Sequence, residues 1–249
     1  MNILISIDDT DNLDSPGSGQ VIENLARSLQ EQHLADCANI TRHQLFAHAD
    51  IPYTSHNSAM CFTARIDGKE QLDQIVAVSQ AFLEEHCAVG SDPGLGVAIA
   101  DQQLDQTSLI DFGQRAKKTI LTKDAAYAMA KDLGIHLSEH GGTGGGIIGA
   151  LAAIGLRLQG NDGRFRGWYH FGKAGSLTTP ADLVSTHPFI DAVVDDQGQA
   201  IAGDIPFLFA EDTVKTVLLG GSQVIPLRAN SATNGPRWST LTKKEVKRF

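Results

Sequence analysis

The hydrophobic pattern of the first hundred residues alternates between the strand period and the helix period. Short apolar or alternating runs predict strands at 2–7, 40–48, 58–66 and 95–100. Between them, apolar residues recur at helical spacing and predict helices at 20–33 and 69–86. The resulting order, βαββαβ, is that of the ferredoxin-like fold, in which two helices cover one face of an antiparallel sheet.

The rest of the chain predicts a helical segment and then a β-rich region. Helices are predicted at 108–118, 123–133 and 147–154, and a glycine-rich loop precedes the last of them. Beyond Gly155, short apolar runs alternate with turn residues about every ten positions, which is typical of short strands. These runs are 156–158, 164–171, 190–195, 205–209, 214–219 and 223–228. We therefore predict an α+β fold with two regions, 1–156 and 157–249.

Composition narrows the class of protein. A chain of 249 residues that is 42% hydrophobic can bury a substantial core. Its three cysteines, Cys37, Cys61 and Cys87, show no CxxC spacing, and no leader or long apolar stretch is present, so we expect a cytoplasmic protein without a membrane partner. The formal net charge of −9 argues against a nucleic-acid footprint spread over the whole surface.

An acidic motif directly follows the first predicted strand. Asp8, Asp9 and Asp11 come within five residues of the apolar run 3–7. Carboxylates this close repel one another unless a cation or a proton compensates. Mg²⁺ is commonly held by one or two carboxylates together with substrate phosphates. The three aspartates are therefore candidate metal ligands and catalytic residues, and a solvated acidic turn is the alternative.

The glycine-rich loop at 141–146 is the second candidate site. Glycines let the backbone approach a phosphate, and the start of the following helix adds partial positive charge. The loop lacks the Lys-Ser/Thr of a Walker A motif, and a close packing turn is the alternative explanation. Its candidate phosphate-binding residues are Gly142, Thr143, Gly144, Gly145 and Gly146.

Together, a metal site and a phosphate loop predict a site for ATP with Mg²⁺. Polar residues on or between the second and third predicted strands are further candidates, notably His56 and Asn57, although each is also typical of a hairpin surface. Lys117 and Lys118, before the loop, are within reach of a phosphate or are simply solvated.

Four motifs in this order resemble archaeal agmatidine synthase, which attaches agmatine to the wobble cytidine of an isoleucine tRNA and uses ATP. They are IDDTD at 7–11, IPY at 51–53 with the polar stretch after it, the Pro93-Gly94 turn, and the glycine-rich segment 141–155. The resemblance covers roughly residues 2–160. It implies that 1–156 is a kinase-like and ferredoxin-like nucleotide-binding region. It also implies that Asp8, Asp9 and Asp11 bind metal, and that the loop binds phosphates.

Two differences from that family shape the expected function. The family has consecutive threonines after IDDTD, one of them phosphorylated, where this chain has Gly17-Ser18-Gly19, so Ser18 is the candidate replacement. The family continues into an OB-fold and a zinc ribbon, and we expect neither in these 249 residues, which lack zinc-ribbon cysteines and leave too little length for an OB-fold.

We therefore expect a Mg-ATP-dependent phosphotransferase or ligase-type enzyme that acts on a small molecule or nucleotide, with no nucleic acid bound by the isolated chain. The alternatives are an RNA- or tRNA-modifying enzyme that needs a partner chain or a homodimer, and a non-catalytic regulatory module that binds a nucleotide.

Overall fold

The computed structural model describes residues 1–51, 56–231 and 235–249. The chain divides into two compact units, Met1–Gln159 and Gly160–Phe249. The described residues form six α-helices and a series of strands, so the mixed α+β class is confirmed. Pro52 and Tyr53 of the IPY motif lie outside the described residues.

The first unit is built on an antiparallel sheet with β1 near its centre. The strands are β1 (Asn2–Asp8), β2 (Asp36–Cys37), β3 (Thr41–Gln44), β4 (Ser58–Arg65), β5 (Gly94–Ile99) and β6 (His136–Glu139). β1 pairs with β4 on one side and with β5 on the other. β5 pairs onward with β6, and β4 pairs with both β2 and β3. Because β1 is covered on both faces, its side chains from Ile3 to Ile7 are completely buried.

Helices cover both faces of this sheet. The helices are α1 (Ser18–Glu31), α2 (Leu72–His86), α3 (Gln106–Ala116), α4 (Lys123–Asp132) and α5 (Gly146–Gln159). Alternate residues of β1 point to opposite faces: Ile3, Ile5 and Ile7 pack in one core with α1 and α2, whereas Leu4 packs in the other with α3, α4 and α5. On the second of these faces, the Ser6 hydroxyl donates to Ala150 O of α5 at 2.7 Å.

The last helix of this unit is longer than its sequence predicted. The sequence pattern predicts that this helix ends at Ile154 and that a strand follows at 156–158. Both predictions are wrong, because α5 continues to Gln159. Gly155 suggested a helix end, but it allows close packing: a Cβ there would overlap the carbonyl of Leu109 in α3. Leu156, one residue further on, is completely buried in the same core.

The second unit is β-rich, as the turn pattern predicted. The elements are β7 (Arg164–Phe165), β8 (Leu177–Thr178), α6 (Pro180–Thr186), β9 (Ala192–Val194), β10 (Phe207–Leu208), β11 (Val217–Leu219), β12 (Ser222–Ala229) and β13 (Trp238–Thr240). The longest strand, β12, pairs antiparallel with β11 and β13 and parallel with β9. The sequence pattern missed α6, β8 and β13, which are too short to show a hydrophobic period.

Across the described parts of the chain, no helix has both the length and the apolar character needed to cross a membrane.

Candidate functional site

A pocket of the first unit lies at the C-terminal end of β1, and we call it the acidic pocket. Five carboxylate side chains line it: Asp8, Asp9, Asp11, Asp50 and Asp92. Its cavity volume as the described residues bound it is about 190 Å³. Typical ligand pockets measure roughly 300–1,000 Å³, so this cavity is smaller than a typical ligand pocket.

The end of β1 places the acidic motif in the pocket. Asp8 is the last residue of the strand, and its side chain is buried. Asp9 then adopts a left-handed backbone conformation with φ 50°, which is uncommon for any residue other than glycine. Such strained positions concentrate at functional sites. Asp8, Asp9 and Asp11 all line the pocket.

Burial and mutual repulsion change how these carboxyl groups ionise. Burial, followed by the charge of Asp9, raises the pKa of Asp8 to about 8. Burial, followed by the charges of Asp92 and Asp11, raises the pKa of Asp9 to about 6. Holding both groups ionised therefore costs free energy, and a bound cation would remove that cost.

The donor set of the acidic pocket fits a Mg²⁺ ion that is shared with a ligand. Among the described residues, no group of three or more His, Cys, Asp or Glu side chains is placed so that it could hold a metal ion by itself. Mg²⁺ needs no such cage, because it keeps several waters and takes one or two carboxylates plus phosphate oxygens. Asp8 and Asp9 supply two such carboxylates, and Gly149 of α5 leaves room for one of them, since a Cβ there would overlap the Asp8 carboxylate.

Ser18 holds the third aspartate of the motif. Its hydroxyl donates to Asp11 Oδ1 at 2.7 Å and accepts from the Thr10 amide at 3.3 Å. Ser18 begins α1 and is itself buried, so it fixes the Asp11 carboxylate against the start of that helix.

The glycine loop, residues 141–146, is tied to the chain segment before β5. Thr143 donates its amide to Asp92 Oδ1 at 2.5 Å and its hydroxyl to Oδ2 at 2.6 Å. The Gly146 amide donates to Asp92 O at 3.0 Å. Lys123 of α4 supports the loop from the other side by donating to Thr143 O at 2.6 Å.

The glycines of the loop therefore have different surroundings. Gly145 and Gly146 line the acidic pocket, whereas Gly142, Thr143 and Gly144 do not. A Cβ at Gly146 would overlap Asp92 O, so this glycine allows close packing of α5 on β5. A Cβ at Gly145 would lie 3.6 Å from the Thr143 hydroxyl, an ordinary van der Waals distance, so it would overlap no described atom.

The remaining wall combines predicted and unpredicted residues. His56 and Asn57, just before β4, line the pocket, and Asn57 Nδ2 donates to Phe46 O at 2.7 Å. Sequence reasoning missed Asp50, Asp92 and an apolar wall. That wall consists of Leu45, Ile51, Ile120, Leu121 and Ile148. The Asp92-Pro93-Gly94 turn was the available signal, but a turn carries no sign of what its side chain faces.

Lys117 and Lys118 were candidates for contact with a phosphate, but they do not line the pocket; the chain from Thr119 to Leu121, just after them, does.

The raised pKa of Asp8 gives a testable prediction for the ligand-free protein. The folded state holds a proton that the unfolded state releases, so stability should fall as pH rises from about 4 towards 8. Asp8→Asn should remove most of this decline and raise the melting temperature at pH 8 by at least about 4 °C, since 1 kcal/mol corresponds to roughly 2–4 °C at this chain length. Thermal melts between pH 5 and 8 measure it, with the exposed Asp14→Asn as control. An unchanged pH slope in Asp8→Asn would contradict the assignment.

No protein-family model matches the chain, and no curated protein matches it. Solved structures do. The complex of TiaS with its isoleucine tRNA and ATP matches with 26% identity and a TM-score of 0.54 over 62% of this chain and 36% of that chain. A tRNA fluorescent labeling enzyme matches with 26% identity and a TM-score of 0.53 over the same shares. The complex of TiaS with the same tRNA, AMPCPP and agmatine matches with 25% identity and a TM-score of 0.52, again over 62% and 36%.

The chain thus spans about a third of the length of these structures. Structures with tRNA lend no support to the expectation that the isolated chain binds no nucleic acid. The resemblance that the sequence motifs indicated is confirmed: over 62% of its length, the chain is similar in sequence and fold to part of the tRNA agmatidine synthetase TiaS.

Proposed function

We propose that the chain is an ATP- and Mg²⁺-dependent phosphotransferase or ligase-type enzyme whose active site is the acidic pocket. The observation that carries the proposal is the meeting of two features there, the carboxylates after β1 and the start of α5 at Gly145 and Gly146. TiaS, which has the same fold over the shared part, forms complexes with ATP and AMPCPP.

We also infer that β1, β3, β4 and β5, with α1 and α2, form a ferredoxin-like core.

Each wall of the pocket has a distinct task in this proposal. Asp8 and Asp9 would hold Mg²⁺, with Asp11 fixed beside them by Ser18. The ion would supply positive charge to the phosphates of the nucleotide. The start of α5 would direct the positive end of its helix dipole towards the same phosphates. The apolar wall offers a surface on which a nucleobase can be buried.

The coupling of metal and nucleotide tests the proposal directly. Without Mg²⁺, the carboxylates should repel the triphosphate, so ATP should bind at least about ten-fold more weakly. Asp11→Asn should abolish turnover and leave the fold intact, whereas the exposed Asp101→Asn should have no effect. Calorimetry with and without Mg²⁺ measures the coupling, and equal ATP affinity in both conditions would refute it.

Turnover assays with candidate small acceptors and with tRNA complete this test. Product analysis would show whether ADP or AMP is released. Tight binding of ATP without turnover would instead support the non-catalytic regulatory module.

Gly145, where a Cβ would overlap no described atom, allows a second test with a variant that should still fold. Gly145→Val should lower ATP affinity about ten-fold or more, because the new side chain would occupy pocket space next to the start of α5. Its melting temperature should match the wild type, since no described atom lies close enough to block the substitution. Gly235→Val, at an exposed glycine with open space around it, is the control. Normal ATP binding by a folded Gly145→Val would place the phosphates elsewhere.

A second candidate function is tRNA modification, and the charge distribution favours it. Of the 20 Lys and Arg residues, ten lie in the second unit, but only nine of the 29 Asp and Glu residues do. The second unit therefore has a formal net charge of +1, and the first unit has −10. Trp168, 44% exposed, lies against Lys215 at 5.0 Å and Lys243 at 5.4 Å. Aromatic rings beside basic groups are typical of surfaces that stack bases.

Binding of tRNA tests this candidate. If the second unit contacts tRNA, Trp168→Ala and Lys243→Ala should each weaken binding several-fold, since stacking contributes about 1–3 kcal/mol per base. The Lys variant should also lower the salt dependence. Lys131→Ala, in the acidic first unit, is the control. A mobility-shift assay at about 0.15 M salt measures it, and equal binding by all variants would exclude this surface.

A further inference from the structure

The side chain of Asp92 lies inside the glycine loop. Both of its carboxylate oxygens are used there, since Oδ1 accepts from the Thr143 amide at 2.5 Å and Oδ2 accepts from the Thr143 hydroxyl at 2.6 Å. A Cβ at Gly142 would overlap Oδ1, and one at Gly145 would lie 3.7 Å from Oδ2. The carboxylate therefore occupies space that a side chain at position 142 would need, and it lies within van der Waals range of Gly145.

These contacts are the ones that a phosphate group would use. A backbone amide and a hydroxyl in a glycine-rich loop before a helix form a site for an anion. In this structure the anion in that site belongs to the chain itself. Asp92 also lines the acidic pocket, and its charge contributes to the raised pKa of Asp9. A triphosphate that reached Thr143 would therefore meet a negative charge already in place.

The loop does not depend on the Asp92 carboxylate alone for its position. The Gly146 amide donates to the backbone carbonyl of Asp92 at 3.0 Å, and the His140 amide donates to Pro93 O at 2.9 Å. Lys123 Nζ donates both to Thr143 O and to Glu139. Because none of these bonds uses the Asp92 side chain, that side chain can rotate away while the loop keeps its position.

We propose that Asp92 is a built-in competitor for the phosphate group, which holds the donors of Thr143 until a nucleotide displaces it. The proposal rests on the function proposed above for the same pocket. In this proposal the Asp92 contact with the glycine loop is autoinhibitory, and the amide and hydroxyl of Thr143 donate to the nucleotide once it is bound. It also predicts an effect of opposite sign to that of Asp8, Asp9 and Asp11, because removing the Asp92 charge should strengthen binding.

The test compares two variants of Asp92 with a variant of another carboxylate of the pocket. Asp92→Asn keeps the shape and can still accept from the Thr143 amide, while Asp92→Ser removes the charge with a shorter side chain. Asp50→Asn removes the same charge from the same pocket but lies outside the loop, so it measures the general electrostatic gain. Calorimetry with Mg-ATP and with inorganic tripolyphosphate gives the affinities, and thermal melts verify that each variant is folded.

We expect Asp92→Asn and Asp92→Ser to bind both probes about ten-fold more tightly than wild type, because a neutral group competes less well for a charge-assisted hydrogen bond. Asp50→Asn should show a smaller increase in affinity for both probes. Adding Thr143→Val to Asp92→Asn should remove most of the gain, since the contested hydroxyl is then gone.

Two results would overturn the proposal. An equal gain in Asp50→Asn and Asp92→Asn would mean that only general charge matters, and weaker binding by the Asp92 variants would make Asp92 a support of the loop or a metal ligand. In both cases Mg-ATP binding by the wild type would leave the proposed function standing. Conversely, the wild type could fail to bind ATP while Asp92→Asn binds tripolyphosphate. That result would support the role of Asp92 as a competitor and refute the proposed function. If no variant binds either probe, both are refuted.

Discussion

The close contact of α5 with β1 and β5 is the constraint on which the site depends. Gly94, Gly146 and Gly149 form this contact, and a Cβ at any of them would overlap neighbouring backbone or the Asp8 carboxylate. The helix therefore lies directly over the end of β1, and its first turn faces the carboxylates that follow the strand. A wider separation would expose Asp8 to water and move the start of α5 away from the acidic motif.

This packing makes the site costly for the folded chain when no counter-ion is bound. Asp8 is buried beside two other carboxylates, and its pKa is raised mainly because burial disfavours its charged form. The left-handed backbone conformation of Asp9 adds to the free-energy cost of the site. Natural sites often keep such strain because it serves binding. Here the strain and the repulsion point to the same compensation, a cation that is held in common with an anionic ligand.

The sequence was informative where its pattern was long or chemically dense. The run 3–7 predicted β1, helical spacing predicted α1 and α2, and the acidic motif and the glycine loop were both visible as candidate chemistry. The structure brings Asp8, Asp9, Asp11, Ser18, His56, Asn57, Gly145 and Gly146 to the same pocket. Their binding roles stay predictions, since geometry alone shows only that they meet.

What the sequence could not show depends on contacts between distant segments. Asp92 is 51 residues away from Thr143, and nothing local to the Asp92-Pro93-Gly94 turn indicates that its carboxylate enters the loop. Likewise, Gly146 and Gly145 look alike in the sequence, but only the first is needed for packing. Gly155 misled for the same reason, because its close neighbour is Leu109 of another helix.

The net charge of the whole chain describes its two units unequally. A net charge of −9 argues against a nucleic-acid footprint spread over the whole surface, but the excess of acidic residues lies entirely in the first unit. Five aspartates of that unit line the acidic pocket, while Trp168, Lys215 and Lys243 belong to a unit of nearly neutral charge. Because exposed charges act over about 8 Å at physiological ionic strength, the local distribution decides which ligands are attracted. An acidic chain can therefore carry a nucleotide site in one unit and a surface for nucleic acid in the other.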